Sequence, residues 1–211
     1  MDILPVDLWV LLTFVPAGLA LNLTPGADMM FCLGQGLRSG PSAAMAANFG
    51  IALGGMVHTL AAGLGLGALL AAHPVAFDVI RWLGVAYLLW LAFKGLRASG
   101  GIAAGTRGAL SPIRAFREAF MVNLMNPKVI LFILAFLPQF VDPSRAVLPQ
   151  FLTLGFVFSL GGLLVNGAVG VFAGKLGQGL ATSPIFARWL GRVSAGIFGL
   201  LALRLAMMEK G

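Results

Sequence analysis

Asp28 and Lys128 are ionisable residues set inside apolar stretches, and each follows a proline, Asp28 three places after Pro25 and Lys128 directly after Pro127. A charge at membrane depth costs about 2.5–3.5 kcal/mol on insertion scales, so such a residue marks a functional site by default. A carboxylate there can receive an ammonium group or carry a proton. An ammonium there can pair with a substrate carboxylate, or with Asp28 itself. His58 carries an imidazole and is a candidate proton relay. It shares a helix face with Gly50 and Gly54, at i, i+4 and i+8, and those small residues permit close helix approach that draws His58 inward. A lone histidine on an apolar helix also suits plain packing. Asn166 falls near the equivalent place in the second half of the chain and adds an amide candidate.

The neighbours of the two charges are helix breakers and caps. LNLTPGADMM at 21–30 places Asn22, Thr24, Pro25 and Gly26 before Asp28, and NLMNPK at 123–128 places Asn123, Asn126 and Pro127 before Lys128. Thr24-Pro25 reads as an N-cap followed by a first-turn proline, and Asn126-Pro127 reads the same way. Gly26 leaves the backbone open to close approach. Irregular backbone at membrane depth survives only where it is buried in protein or lines a watery cavity. Two half-helices starting there aim free N–H groups and positive dipole ends into a common space, which favours anions such as a carboxylate. Prolines that merely kink a span are the alternative.

Composition says what must carry these residues. The 211 residues are 59% hydrophobic and 10% charged, against roughly 25% charged in soluble domains, so this is a membrane protein. The expected fold class is an all-α integral membrane protein forming one transmembrane domain. Six apolar segments, near 8–36, 42–71, 75–98, 116–140, 147–172 and 186–207, each suffice for a span of roughly 20 residues. Between them lie RSGP, AAHP, a basic loop at 99–115, VDPSR and ATSP. Nine cationic side chains (Arg38, Lys94, Arg97, Arg107, Arg114, Arg117, Lys175, Arg188, Arg192) fall on one side, and Arg145, Arg204 and Lys210 on the other. The richer side is the cytoplasmic one, which puts both termini outside. The start, MDILPVDLWV, holds Asp2 and Asp7 but no basic residue, so the first segment is expected to stay as a span. Arg81 and Arg188, beside Trp82 and Trp189, suit interfacial anchors.

The sequence also resembles itself. RWLG at 81–84 returns at 188–191, and LGG at 53–55 returns at 160–162, while NLTPG at 22–26 meets NLMNP at 123–127. Two three-span repeats, 1–98 and 116–211, follow, each with a broken first helix. An odd number of crossings inverts the second copy, an architecture that places a transport site where the broken helices meet. Duplication kept only for packing is the bland alternative.

Other chemistries find little. The net charge of +7 reads as topogenic loop charge, not a nucleic-acid surface. Cys32 is the sole cysteine, which excludes an internal disulfide and a thiol shuttle. One mid-span His and one Asp are too few for a divalent metal exporter, although that remains the rival reading within transport. No Ser–His or paired-Asp constellation points to an enzyme, and no cofactor is called for.

The quoted motifs resemble the LysE/RhtB family of amino-acid exporters along the whole chain. The stretches are TPGADMMFCLGQGLRSGPSAA, GIALGGMVHTLAAGLGLGALL, WLGVAYLLWLAFKGLR and FMVNLMNPKVILFILAFLPQFVDP. The family's PGP-[DN]-M signature stands here as Pro25-Gly26-Ala27-Asp28-Met29, with Ala27 in place of the second proline, and NPK as Asn126-Pro127-Lys128. The resemblance implies export of amino acids or close derivatives, of homoserine, threonine, lysine or leucine type. It also implies an inner-membrane location and drive from the proton or another ion gradient. The Gly-rich faces permit a homodimer.

Overall fold

The computed structural model describes residues 5–72, 75–97, 109–172 and 183–207, and every regular element among them is helical. In chain order these are α1 (Leu8–Leu23), α2 (Ala27–Ser39), α3 (Pro41–Ala72), α4 (Val75–Leu96), α5 (Pro112–Leu124), α6 (Pro127–Ala135), a 3-10 turn (Leu137–Phe140), α7 (Val147–Phe172) and α8 (Pro184–Met207). The six apolar segments of the sequence correspond to α1–α2, α3, α4, α5–α6 with its 3-10 turn, α7 and α8. The His73-Pro74 turn, the loop 98–108 with Arg107, the stretch 173–182 with Lys175, and Lys210 lie outside the described residues. So do the side chains of Arg81, Lys94 and Arg204.

Length and hydropathy qualify two helices as spans, Pro41–Gly65 and Val147–Phe172. Two bent pairs qualify if each is one broken span, α1–α2 with a 56° bend and α5–α6 with a 53° bend. The apolar runs of α4 and α8, Trp82–Phe93 and Gly191–Leu203, are shorter.

The breaks fall at the two expected places but are not built alike. Asn126 caps α6 as expected, with Pro127 in the first turn. Thr24 does not cap α2. Its amide still bonds to the carbonyls of Ala20 and Leu21, and its hydroxyl donates back to Ala20 O at 2.8 Å, so Thr24 closes α1 instead. Pro25 has no N–H with which to continue that ladder, and α2 begins only at Ala27 after Gly26, which offers no side-chain cap. The expectation of a Thr-Pro cap at 24–25 is corrected to a C-terminal stop. Gly40, at φ 84°, ends α2 in the left-handed region that suits glycine.

α3 is the central helix, packed against α5, α7 and α2, while α4 and α8 lie together. Close approach explains the α3–α5 contact. A Cβ on Gly50 would meet the Phe116 carbonyl, and one on Gly54 the Asn123 amide oxygen. Gly50→Ala gains about 0.8–1 kcal/mol of helix propensity, but overpacking costs about 1–3 kcal/mol and a backbone carbonyl yields only if its helix moves. The clash therefore wins. We expect the variant to melt below the parent in detergent, by about 2–4 °C for each net kcal/mol; an equal melting temperature would mean the two backbones are not in contact.

Phe14, Phe132, Phe136, Phe151, Phe158 and Phe198 are buried in one core cluster that draws on α1, α6, α7 and α8. Phe132 stacks on both Phe136 and Phe158 at 4.9 Å between centroids. Lipid tails are as apolar as these rings, so the cluster contributes dispersion contact and shape more than removal from water. Trp9, Leu64, Phe156, Leu164 and Trp189 face outward, as lipid-facing side chains do. Two contacts gather opposite ends of the bundle. Arg145 pairs with Asp7 at 3.0 Å, and the Leu110 amide donates to the Ser39 hydroxyl at 2.9 Å.

Candidate functional site

The breaks in the two bent pairs face each other, and the polar residues of both converge beside them. Asp28 stands in the first turn of α2, where the positive end of the helix favours a carboxylate. Asn123, in the last turn of α5, donates from Nδ2 to Asp28 Oδ2 at 2.8 Å. Asn126 lies beside the same carboxylate. Behind Asn123, His58 Nε2 sits 3.2 Å from the Asn123 carbonyl, so the Nε2–H tautomer donates to it. His58 therefore reaches α5, as the Gly50–Gly54 face implied. Asn123 links it to Asp28 through one residue.

Lys128 takes an unexpected path. Its Nζ donates to Leu21 O at 3.0 Å and Thr24 O at 2.8 Å, the last carbonyls of α1. Those carbonyls form the negative end of a helix and want a cation. The ammonium passes over Gly26, where a Cβ would stand 3.1 Å from Nζ. Gly26 is thus the gap through which the second repeat's lysine reaches the first repeat's helix end. Two of the three ammonium protons are committed there, and Asp28 attracts the remaining charge from farther off without a direct salt bridge. Each charge thus stands beside a helix end and also feels the other at longer range.

The caps differ in the same sense. Asn126 Oδ1 accepts from the Lys128 amide at 3.0 Å, so α6 begins satisfied, whereas α2 has no side-chain cap. Removing the Asn126 cap costs about 1 kcal/mol. Asn126→Ala is expected to melt about 2–4 °C lower and to leave Lys128 less firmly placed. A thermal melt reads the first effect, and no shift would contradict the cap.

A small cavity of about 20 Å³ opens at the centre, room for one water-sized group. Asn22, Asp28, Asn123 and Asn166 all line it. Asn22 is held by an Nδ2 bond to Phe158 O at 3.1 Å and nests against Gly161 and Gly162 of α7. The proposed site residues thus divide three ways: four line the cavity, Thr24, Pro25, Gly26, Asn126, Pro127 and Lys128 build the breaks, and His58 backs Asn123. Sequence reasoning missed Asn48 and Ser159, which also line the cavity and are buried. The signal was present in Asn48, an amide within a long apolar helix, but it has no helix breaker or charge beside it to single it out. Ser159 gives no comparable signal. Among the described residues no three His, Cys, Asp or Glu side chains gather as a metal site.

Residues 19–209 match the family model described as LysE type translocator. An "Uncharacterized membrane protein" of Vibrio cholerae is 34% identical over 86% of this chain and 89% of its own length. A "Homoserine/homoserine lactone efflux protein" of Salmonella typhi is 38% identical over 64% of this chain and 66% of its own. A "Leucine efflux protein" of Enterobacter is 33% identical over 63% of this chain and 64% of its own. No solved structure matches.

Proposed function

This chain belongs to the LysE type translocator family, and on that premise we propose that it exports an amino acid or close derivative, driven by the proton gradient. It is a membrane transporter and not an enzyme. The observation that carries the proposal is a buried carboxylate, Asp28, lining a polar cavity between two broken helices. A zwitterion needs an anion for its ammonium and a cation or helix N-terminus for its carboxylate. Asp28 supplies the first. The uncapped start of α2 and the adjacent Lys128 ammonium supply the second.

Coupling follows if Asp28 holds either the substrate ammonium or a proton, and never both. Outward passage of one and inward passage of the other then share a single carboxylate. His58, held against the Asn123 carbonyl one residue behind Asp28, is the proposed relay for that proton. It is reached through water once the helices part, because the Asn123 amides do not themselves pass protons. The cavity admits a water-sized group, so an amino acid enters only when the helices part. The breaks at 24–26 and 125–126 are the proposed hinges, with Lys128 crossing from one to the other. Homoserine- and leucine-type substrates are the first to test, because two relatives carry those names.

We place the chain in the inner membrane as a six-span, inverted-repeat bundle with both termini outside. α4 and α8 are its third and sixth crossings. The paired breaks and the packing of α4 on α8, which carry the two RWLG copies, support that arrangement. A homodimer through exposed Gly-rich faces is compatible with it. The test is efflux from cells overexpressing the protein and loaded with a panel of amino acids. Faster loss of at least one of them is expected, and loss identical to control cells for all would sink the proposal.

A further inference from the structure

Five buried side-chain polar atoms among the described residues lack hydrogen-bond partners. Four are oxygens of residues that line the central cavity: Asp28 Oδ1, Asn48 Oδ1, Asn123 Oδ1 and Ser159 Oγ. The fifth, the donor Asn126 Nδ2, lies beside the Asp28 carboxylate. The two amides are oriented from behind. Asn48 Nδ2 donates to Leu163 O at 2.8 Å and Asn123 Nδ2 to Asp28 Oδ2 at 2.8 Å, which leaves each amide oxygen as the free end. The set is acceptor-rich and carries one negative charge. The Ser159 hydroxyl brings one proton of its own, so a water with two leaves the four acceptors one short. A primary ammonium has three and a charge to match the carboxylate. The space of about 20 Å³ accommodates a group of that size and little more.

We infer that Asp28, Asn48, Asn123 and Ser159 form a cradle for one primary ammonium group, and that the chain selects primary amino compounds with uncharged side chains. The inference rests on the export reading and sharpens it. An N-methyl group removes one donor and sets a methyl against the acceptors instead. A trimethylammonium has no donors at all. A second ammonium, as in lysine, finds no second carboxylate among the cavity-lining residues, whose remaining polar groups are amides and one hydroxyl. Such a charge would be desolvated without a partner.

The experiment pairs binding with flux, using leucine, N-methyl-leucine, trimethyl-leucine betaine and lysine as probes. Binding is read as stabilisation of the purified protein in detergent, and flux as release from proteoliposomes. Leucine is expected to bind at least about tenfold more tightly than N-methyl-leucine, the effect of one lost charged hydrogen bond, with the betaine and lysine weaker still. Ser159→Ala removes one acceptor and no fold-supporting bond. It is expected to raise KM for leucine severalfold, leave the maximal rate near wild type, and narrow the gap to N-methyl-leucine. Equal affinity for leucine and its N-methyl derivative overturns the cradle while leaving export intact. So does an unchanged preference in Ser159→Ala. Stabilisation by sodium chloride without discrimination among the amines would assign the oxygens to a metal cation and also overturn it. Discriminating binding without any flux would keep the cradle and remove the export reading.

Discussion

Replacing Asp28 with asparagine is expected to lower gradient-driven amino-acid export by about 100-fold or more, while the protein still folds and inserts. Removing one partner of a buried, hydrogen-bonded charge pair costs about 2–5 kcal/mol, and about 2.7 kcal/mol already corresponds to a factor of 100. The fold has less at stake. The substituted side chain keeps a carbonyl oxygen to accept from Asn123 Nδ2, the bond that now runs at 2.8 Å to Asp28 Oδ2. It sits at the same helix start, where a neutral amide loses a favourable dipole interaction of about 0.3–1 kcal/mol. That loss is small beside the cost of burying the charge. The comparison is between wild type and variant at equal membrane abundance, with the melting temperature as the folding control. Full export by Asp28→Asn would remove this carboxylate from the mechanism.

Lys128→Ala is expected to have the next largest effect, and on two readouts. The ammonium holds the last carbonyls of α1 from the start of α6, so it ties one broken helix to the other. Hydrogen bonds to a charged group contribute about 1.5–3 kcal/mol each to stability, and two are lost, with the carbonyls then needing other donors. A melting temperature lower by about 6 °C or more is expected. If the ammonium also receives the substrate carboxylate, the variant loses its preference for an amino acid over the corresponding amide. Lower stability with an unchanged acid-to-amide preference would make Lys128 a tie and nothing more. Lys128→Arg is no rescue: Gly26 leaves room for a slim ammonium, with a Cβ position only 3.1 Å from Nζ, and a planar guanidinium is broader.

Much of this arrangement is legible in the sequence because membrane helices obey few rules. A hydrophobic run with a proline, an amide and a charge in its middle has to face protein or water, so Asn22, Asp28 and Asn123 are readable as site residues before any geometry. The Gly50–Gly54–His58 face is readable for the same reason, since small residues mark contact. What the sequence hides is which partner each group takes. Thr24-Pro25 looks like a helix start, yet whether a threonine closes the preceding helix or opens the next depends on backbone angles that the two residues tolerate equally. Lys128 and Asp28 look like a pair because opposite charges near two matched prolines invite it. The chain has a second way to satisfy each, the α1 carbonyl end and the α2 amide end, and those become available only once the breaks are set face to face. Ser159 is invisible in the sequence because a lone serine in an apolar helix ordinarily bonds its own backbone.

The central claim is that the polar cavity between the broken helices carries an amino acid against a proton. Purified protein in proteoliposomes loaded with labelled leucine or homoserine, with and without an imposed proton gradient, tests it most directly. Release that accelerates with the gradient, and that Asp28→Asn abolishes, is the expected result. No movement of either amino acid, with the gradient or without it, would contradict the claim.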